Sequence, residues 1–512
     1  MNRTFLFVLV TIFKFNPILS LNVLGISSCF TGHLTPMVGI FRALRAKGHE
    51  VDVLMGADCC DSKVAGLFKN VSNCYFTPIF ESHTIVANTQ FEGLMNLKEL
   101  FAENGTKIAF HQTHKFLTEH PDYDVIVSDY VLLGSYLAAE LHSIPVVATF
   151  GGPFVQLLQH QPLVKRNIIY MPETVLPDFA VEIIGLVGNI VWHFLVSEEV
   201  YKAVGDIQEE FDMVPKIRSS GLNYGLPFYY FYMHTNLIHT GPPDVFLPGL
   251  EYLEFKTNAH HVGFIPDETS FKSLSPELES FLQKSNKPVV YMSLGTVFKI
   301  EVSKLEALLA DFADQEMYSV IWAVSEGYEE LKSKELDGGN VLLVTKIAQF
   351  SLLMLEKVQV FITHAGANSL QEGIYSTTPM LVFPGFGDQP MNACQLVDLN
   401  LALPLIELNF REISRKLGMI LDSQTYTEMK GRLKKSKDLM TSFGGYKKAA
   451  ELVEQVQRGV IKVIDPPALV DLNWFLVYIP AMMFGVFVLL PTILFWTWMI
   501  RICCRNDKNK KD

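Results

Sequence analysis

The chain has 512 residues, of which 49% are hydrophobic, and a mean hydropathy of +0.22. It is too long for one ordinary domain and too apolar for a wholly soluble protein, which favours two α/β domains with membrane sequence. The 42 basic and 54 acidic residues give a net charge of −12, and the basic residues form no stripe, so nucleic acid is not expected as a partner. The seven cysteines lack metal-ligand spacing and indicate neither a zinc site nor a disulfide scaffold.

Residues 1–20 have the layout of a cleavable signal peptide. Arg3 precedes an apolar run, and a proline and a small residue follow just before Leu21. A buried N-terminal strand is the alternative, but the segment that begins at Leu21 already has the pattern of a first strand. Secretion would make Asn70 and Asn104, each in an Asn-x-Ser/Thr triplet, glycosylation acceptors.

The first half of the chain alternates strand-like and helix-like segments. The predicted strands lie at 23–26, 50–55, 125–127 and 145–150, and the predicted helices at 37–47 and 130–141. This alternation predicts a parallel sheet covered by helices. The aromatic-rich part from 151 to about 263 is predicted to form an apolar pocket and a connection, and residues 258–275 a linker.

A Gly-His pair lies in the turn predicted between the first strand and the first helix, at residues 29–36. This turn would lie at the carboxyl edge of a parallel sheet, where ligands bind, so His33 would face a cleft. Histidine has an ordinary pKa of about 6.5 and can act as a general base near neutral pH. An isolated histidine in a loop is more often a surface or packing residue.

The second half repeats the alternation, with predicted strands at 289–293, 319–324, 341–344, 358–362 and 380–383. The first of these strands ends in Ser293, Gly295 and Thr296, which on their own would be an ordinary strand terminus. The fourth ends in a tight turn, residues 363–366, before a helix predicted at 367–375. Free N–H groups and the positive end of the dipole at that helix start suit a phosphate.

Eight positions between residues 345 and 392 together resemble the donor-binding signature of the UDP-glycosyltransferases, the UDP-glucuronosyltransferase family. They are Gln349, His364, Gly366, Asn368, Glu372, Asp388, Gln389 and Asn392. The segment from Ser293 to Thr296 resembles the SLGS turn of the family, and the GHxxP segment around His33 resembles the position of its catalytic histidine. The resemblance extends over essentially the whole chain.

The resemblance implies an α/β fold of two facing Rossmann-like domains, the GT-B fold, plus one C-terminal transmembrane helix. Residues 21–265 would form the acceptor-binding domain and residues 266–465 the UDP-sugar-binding domain. The reaction implied is a direct, inverting transfer of a hexosyl group from a UDP-sugar to a hydroxyl of a small lipophilic acceptor. The UDP-sugar would be a co-substrate, and no cofactor or metal is expected because the helix start and His364 would neutralise the leaving group.

The resemblance also implies a role for each site residue. His33 would be the general base and Asp129 its partner, because the competitor Asp124 precedes its strand and so lies at the opposite edge. The other implied contacts are Gln349 with uracil; Glu372 with the ribose; Ser293, Gly295, Thr296, His364, Gly366, Asn368 and Ser369 with the diphosphate; and Asp388 and Gln389 with the sugar hydroxyls.

The chain departs from the family at the position of the base-stacking ring. Lys346 and Ala348 stand where the family usually has Trp and Pro, and Phe350 is an alternative stacking ring. Ala365 replaces a common glycine. The sugar therefore remains open between glucuronic acid and glucose, and a lipophile carrier with a weakened donor site is an alternative from a different functional class.

The segment 474–500 contains no charged residue and is long enough to span a bilayer. The basic residues of 501–512 predict a cytosolic tail and a luminal body, a single-pass type I protein of the endoplasmic reticulum membrane. Lysines three and five positions from the end resemble a retrieval signal, although a solvated tail would have the same composition. A homo-oligomer is left open.

Overall fold

A computed structural model describes twelve segments: residues 20–28, 31–56, 73–77, 103–152, 198–213, 235–246, 258–295, 300–324, 327–333, 339–345, 347–385 and 387–463. The predicted signal peptide up to residue 19, the predicted membrane span, Asn70, Thr296 and Lys346 lie outside these segments. Within them, no helix is both long and apolar enough to cross a membrane.

The first sheet has seven parallel strands in the order β3-β2-β1-β4-β5-β6-β7. They are β1 (Asn22–Ser27), β2 (Glu50–Gly56), β3 (Asn73–Thr77), β4 (Val125–Asp129), β5 (Val146–Phe150), β6 (Asn236–His239) and β7 (Ala259–His261). The central strands are short, almost continuous apolar runs because helices cover both faces of a parallel sheet. β1 pairs with β4 from Val23↔Val125 to Ile26↔Ser128, so the two strands end side by side.

In the described part of the first half, the helices are α1 (Thr31–Ala46), α2 (Glu103–Glu119), α3 (Leu133–Leu141), α4 (Glu198–Glu210) and α5 (Pro243–Phe246). Helix α1 starts six residues earlier than predicted, so His33 lies in its first turn and not in a loop. The predicted turn, residues 29–36, ended at Pro36, and this part of the prediction was wrong. This proline lies inside the helix, near its start, where its missing N–H deprives only the carbonyl of Gly32 of a partner within the helix.

Two strands occupy the part of the chain predicted to be pocket and linker. β6 extends the sheet next to β5, and β7 lies beside β6 within residues 258–275. Their sequences, NLIH and AHH, are too short and too polar to show the alternation of a half-buried strand. The connection between the sheets therefore begins only after His261.

The second sheet has six parallel strands in the order β10-β9-β8-β11-β12-β13. They are β8 (Val289–Ser293), β9 (Ser319–Ala323), β10 (Val341–Val344), β11 (Val358–Thr363), β12 (Met380–Val382) and β13 (Ala402–Pro404). All but β13 were predicted, and β13 has only three residues at the edge of the sheet. β11 pairs with both β8 and β12, which brings the carboxyl ends of these three strands together.

The helices of the second half are α6 (Pro276–Lys284), α7 (Val302–Asp314), α8 (Tyr328–Lys332), α9 (Gln349–Leu353), α10 (Ala367–Ser376), α11 (Gln389–Asp398), α12 (Phe410–Ile420), α13 (Ser423–Ser442) and α14 (Gly445–Gln457). Ser275 is the N-cap of helix α6, and its hydroxyl accepts a hydrogen bond from the Leu278 N–H.

Helix α14 returns to the first half of the molecule and packs on α1. The ring of Tyr446 lies against Gly39, where a Cβ would approach it to 2.4 Å. Glu454 accepts hydrogen bonds from Lys47 Nζ (3.0 Å) and His49 Nε2 (2.8 Å). Helix α14 thus joins the two halves and holds α1 in place.

Candidate active site between the two sheets

His33 and Asp129 form a hydrogen-bonded pair at the carboxyl edge of the first sheet. His33 Nδ1 lies 3.0 Å from Oδ1 and 3.1 Å from Oδ2 of Asp129. The His33 side chain is 27% exposed, whereas that of Asp129 is 1% exposed at the end of β4. An Nδ1–H that donates to Asp129 leaves the lone pair on Nε2, which is the tautomer a general base needs.

The carboxylate of Asp129 is held by the segment that follows the adjacent strand β1. The backbone N–H of Ser28 donates to its Oδ2 (3.3 Å), as does the Ser28 hydroxyl. The Val131 N–H donates to Oδ1 (3.4 Å). The parallel pairing of β1 with β4 produces this arrangement. Asp124 lies at the opposite end of β4, where it accepts a hydrogen bond from Asn22 N (2.8 Å).

The electrostatic environment of His33 comes from both halves of the molecule. Burial lowers the pKa of His33, but the charge and hydrogen bond of Asp129 and the charge of Asp388 outweigh burial and raise it. Asp388 precedes α11 in the second half, so a carboxylate of that half acts on the His33 ring across the cleft. The ring of Tyr130 stacks on His33 at a centroid distance of 5.2 Å.

His364 lies in the turn after β11, between two glycines. A Cβ at Gly295 would come within 2.8 Å of His364 Nε2, and a Cβ at Gly366 within 2.4 Å. Gly295 also has a positive φ of 78°, which favours glycine. Burial lowers the pKa of His364 to about 4, although a hydrogen bond to the Ser293 backbone opposes this effect. The imidazole is therefore neutral at pH 7.

The same turn leads into α10, as the sequence predicted. Ala365 has φ +60°, a left-handed conformation that costs an L-residue about 1 to 2 kcal/mol and explains why glycine suits this position. Gly366 is the N-cap of α10, and Asn368 and Ser369 lie in its first turn. The N–H of Ala367 hydrogen-bonds to Asp388, so one donor of the predicted phosphate site already has a partner.

A polar cluster connects α9 to α10. Gln349 accepts a hydrogen bond from Tyr291 OH (2.8 Å) and donates through Nε2 to Glu372 Oε2 (2.6 Å) and Ser369 Oγ (3.2 Å). Burial raises the pKa of Glu372 to about 7, against the Gln349 hydrogen bond and the charge of Lys272. The predicted uracil and ribose residues are therefore in direct contact.

The predicted sugar residues lie at the start of α11. Asp388 accepts a hydrogen bond from Asn392 Nδ2 (2.6 Å), and Gln389 accepts one from the Gly385 N–H (2.8 Å). Burial raises the pKa of Asp388, while the Asn392 hydrogen bond and the charge of His33 oppose that rise.

Phe350 is not available as the alternative stacking ring. Its side chain is only 5% exposed and packs between Phe271 and Tyr375, at centroid distances of 5.1 and 5.5 Å. The hydrophobic pattern could not reveal this, because the neighbours of Phe350 come from distant segments. Of the two glycosylation candidates, Asn104 lies at the start of α2.

Sequence reasoning missed three side chains of this region. Tyr291 lies inside β8 and reads as a core residue, and Tyr130 follows β4 without a motif of its own. Gln371 of α10 donates to the Gly151 carbonyl (3.5 Å) and so links the second half to the first. Only the folded chain brings these residues to the cleft. In the described segments, no three His, Cys, Asp or Glu side chains form a metal-binding group.

Comparisons with known proteins support the sequence resemblance. A sequence model of the family "UDP-glucoronosyl and UDP-glucosyl transferase" matches residues 250–435. UDP-glucuronosyltransferase 2A3 of Homo sapiens is 27% identical over 369 residues, which are 67% of this chain and 64% of that protein. UDP-glycosyltransferase UGT4 of Dactylopius coccus is 25% identical over 414 residues, 75% of this chain and 76% of its own length.

Solved glycosyltransferase structures have the same fold. The calicheamicin glycosyltransferase CalG4 aligns with a TM-score of 0.61 at 18% identity, over 86% of this chain and 100% of its own. Phytolacca americana UGT2, solved with UDP-2fluoro-glucose and pterostilbene, aligns with a TM-score of 0.60 at 19% identity, over 85% of this chain and 100% of its own. These matches and the two parallel sheets confirm the two Rossmann-like halves of a GT-B fold. Residues 250–435 thus match the family of UDP-glucuronosyl and UDP-glucosyl transferases, and the similar proteins include an animal UDP-glucuronosyltransferase and a UDP-glycosyltransferase.

Proposed function

We propose that this protein transfers a hexosyl group from a UDP-sugar to a hydroxyl of a small lipophilic acceptor, with inversion at the anomeric carbon. The observation that carries the proposal is the His33–Asp129 pair placed opposite Asp388. A base of the first half thus lies within electrostatic reach of the residue predicted to hold the donor sugar. Such a pair serves an acceptor-activating enzyme and gives no advantage to a lipophile carrier.

In the proposed reaction, His33 Nε2 takes the proton of the acceptor hydroxyl while Asp129 stabilises the imidazolium that forms. The acceptor oxygen attacks the anomeric carbon, and the bond from that carbon to the β-phosphate oxygen of UDP breaks. The first turn of α10 and His364 stabilise the negative charge left on the diphosphate. A nearby diphosphate would raise the pKa of His364 from about 4 and favour a hydrogen bond from the ring.

Glucuronic acid is the first candidate sugar. Glucose remains the second candidate, because Asp388 and Gln389 would contact hydroxyls that both sugars possess. The family description includes transferases of both kinds. The protein should be incubated with each UDP-sugar and a simple phenol, with UDP release, product mass and anomeric configuration as readouts. We expect UDP release with one donor and an inverted product. Tight binding of the phenol without UDP release from any donor would favour the carrier.

The proposal includes a luminal body anchored in the endoplasmic reticulum membrane. It rests on the sequence pattern of residues 1–20, 474–500 and 501–512. Protease added to intact microsomes is expected to remove only the tail, and loss of the body would contradict this orientation.

A further inference from the structure

Asn392 lies one helical turn after Asp388 on α11 and uses both amide hydrogens within the donor region. Its Nδ2 donates to Asp388 Oδ2 (2.6 Å) and to the carbonyl of Ala365 (2.9 Å). The residue is fully buried, and its Oδ1 has no hydrogen-bond partner among the described residues. The amide orientation is fixed, because a flipped amide would direct its oxygen at a carboxylate and a carbonyl. A buried oxygen without a hydrogen-bond partner is unfavourable, so the position of Asn392 Oδ1 lowers the stability of the fold.

Asp388 has an unusual orientation for its position. It is the N-cap residue of α11, where the side chain of aspartate normally accepts a hydrogen bond from a backbone N–H in the first turn of the helix, yet it makes no such capping bond. Its carboxylate instead accepts from Asn392 and from the N–H of Ala367 in α10. Asn392 and the Ala367 N–H therefore hold the carboxylate between the side chains of α11 and the turn that contains His364, and not over the first N–H groups of α11.

The other acceptor of Asn392 belongs to that turn. Ala365 is buried and left-handed, and its carbonyl has a fixed direction because the turn is tight. One amide group thus joins the carboxylate predicted to hold the sugar to the backbone predicted to hold the diphosphate. The two subsites cannot move apart without breaking one of these hydrogen bonds.

We propose that Asn392 is a positioning residue that sets the Asp388 carboxylate relative to the diphosphate turn and so places the donor sugar for transfer. The inference rests on the proposed function and deepens it. It predicts a specific division of effects. UDP lacks the sugar and should not depend on Asn392, whereas a UDP-sugar should.

The test is calorimetric titration of UDP and of a UDP-sugar against wild type and Asn392→Ala. We expect the UDP-sugar affinity to fall about tenfold or more, as for the loss of a hydrogen bond to a charged group, and the UDP affinity to change little. Gln395→Ala, on the same helix, is the matched control and should leave both affinities unchanged. If Asn392→Ala shows no cooperative thermal transition, the smaller change Asn392→Ser is measured in the same way.

A double-mutant cycle separates positioning from general support. If Asn392 acts through Asp388, then Asp388→Ala with Asn392→Ala should bind the UDP-sugar no more weakly than Asp388→Ala alone. Equal losses for UDP and UDP-sugar, no loss for either, or additive losses in the cycle would overturn the inference. Failure of wild type to bind UDP or any UDP-sugar would instead contradict the proposed function, before any variant is compared.

Discussion

The substitution Asp129→Asn tests the electrostatic role of the proposed catalytic pair, His33 and Asp129. It keeps the size of the side chain but removes the charge that His33 meets at 3.0 and 3.1 Å. Hydrogen bonds to charged groups contribute about 1.5 to 3 kcal/mol, and each 1.36 kcal/mol on a barrier changes a rate tenfold. Turnover should therefore fall roughly tenfold to more than a hundredfold, while UDP still binds.

The pH profile gives a second, independent readout. The base must be neutral, so kcat/KM falls as the pH drops through the pKa of His33, which Asp129 and Asp388 raise. Without Asp129, burial lowers that pKa, and the acidic limb should move to lower pH. The assay is steady-state UDP release from about pH 5 to 9. Asp124→Asn, at the other end of β4, is the control and should keep the wild-type profile. Unchanged turnover and an unchanged acidic limb in Asp129→Asn would refute the assigned role.

Three further substitutions test the turn at residues 363–366, the contact between the two halves and the buried ring of Phe350. Gly366→Ala would press a methyl group against His364 and disturb the first turn of α10, where the diphosphate is proposed to bind. The UDP affinity, measured by calorimetry, should therefore fall about tenfold. Glu454→Gln weakens two hydrogen bonds to the first half, so urea unfolding at pH 7 should show a loss of about 1 to 2 kcal/mol. Burial raises the pKa of Glu454, but the hydrogen bonds and charges of His49 and Lys47 outweigh burial and hold this pKa below its ordinary value. The loss of unfolding free energy in Glu454→Gln should therefore shrink as the pH falls through the lowered pKa of Glu454. Phe350→Ala should cost about 3 to 5 kcal/mol of unfolding free energy.

Matched controls accompany these substitutions. Gly431→Ala adds a methyl group in open space on α13 and should be neutral or slightly stabilising. Glu451→Gln changes an exposed carboxylate on the same helix as Glu454 and should have an effect below about 0.5 kcal/mol. Phe271→Ala removes a ring that is 52% exposed and should cost much less than Phe350→Ala. Equal effects of substitution and control in any pair would contradict the packing described for that site.

Local features of the sequence were sufficient to predict much of the second half. The apolar run of β11, the small turn after it and the amphipathic start of α10 are consecutive, so their pattern directly specifies a strand, turn and helix. The same reasoning did not predict short polar strands such as β7, because β7 is only three residues long and has no alternation of apolar and polar residues. The start of α1 was misplaced because a proline is an ambiguous signal near a helix start.

The parts of the site that could not be predicted depend on contacts between distant segments. Nothing in the sequence around Asn392 indicates that its amide reaches both Asp388 and Ala365. The burial of Phe350 depends on Phe271 and Tyr375, and the charge of Asp388 reaches His33 only after the two sheets face each other. The resemblance to a family indicated which residues meet, but only the fold supplies their distances and orientations.

The most direct test of the central claim compares turnover and UDP affinity in the same preparation of His33→Ala. If His33 is the general base, UDP release in the presence of a phenol should fall by about a hundredfold or more. The affinity for UDP should remain that of wild type, because the residues predicted to bind the donor all lie in the second half. Turnover close to wild type in His33→Ala would contradict the account and assign the base to another residue.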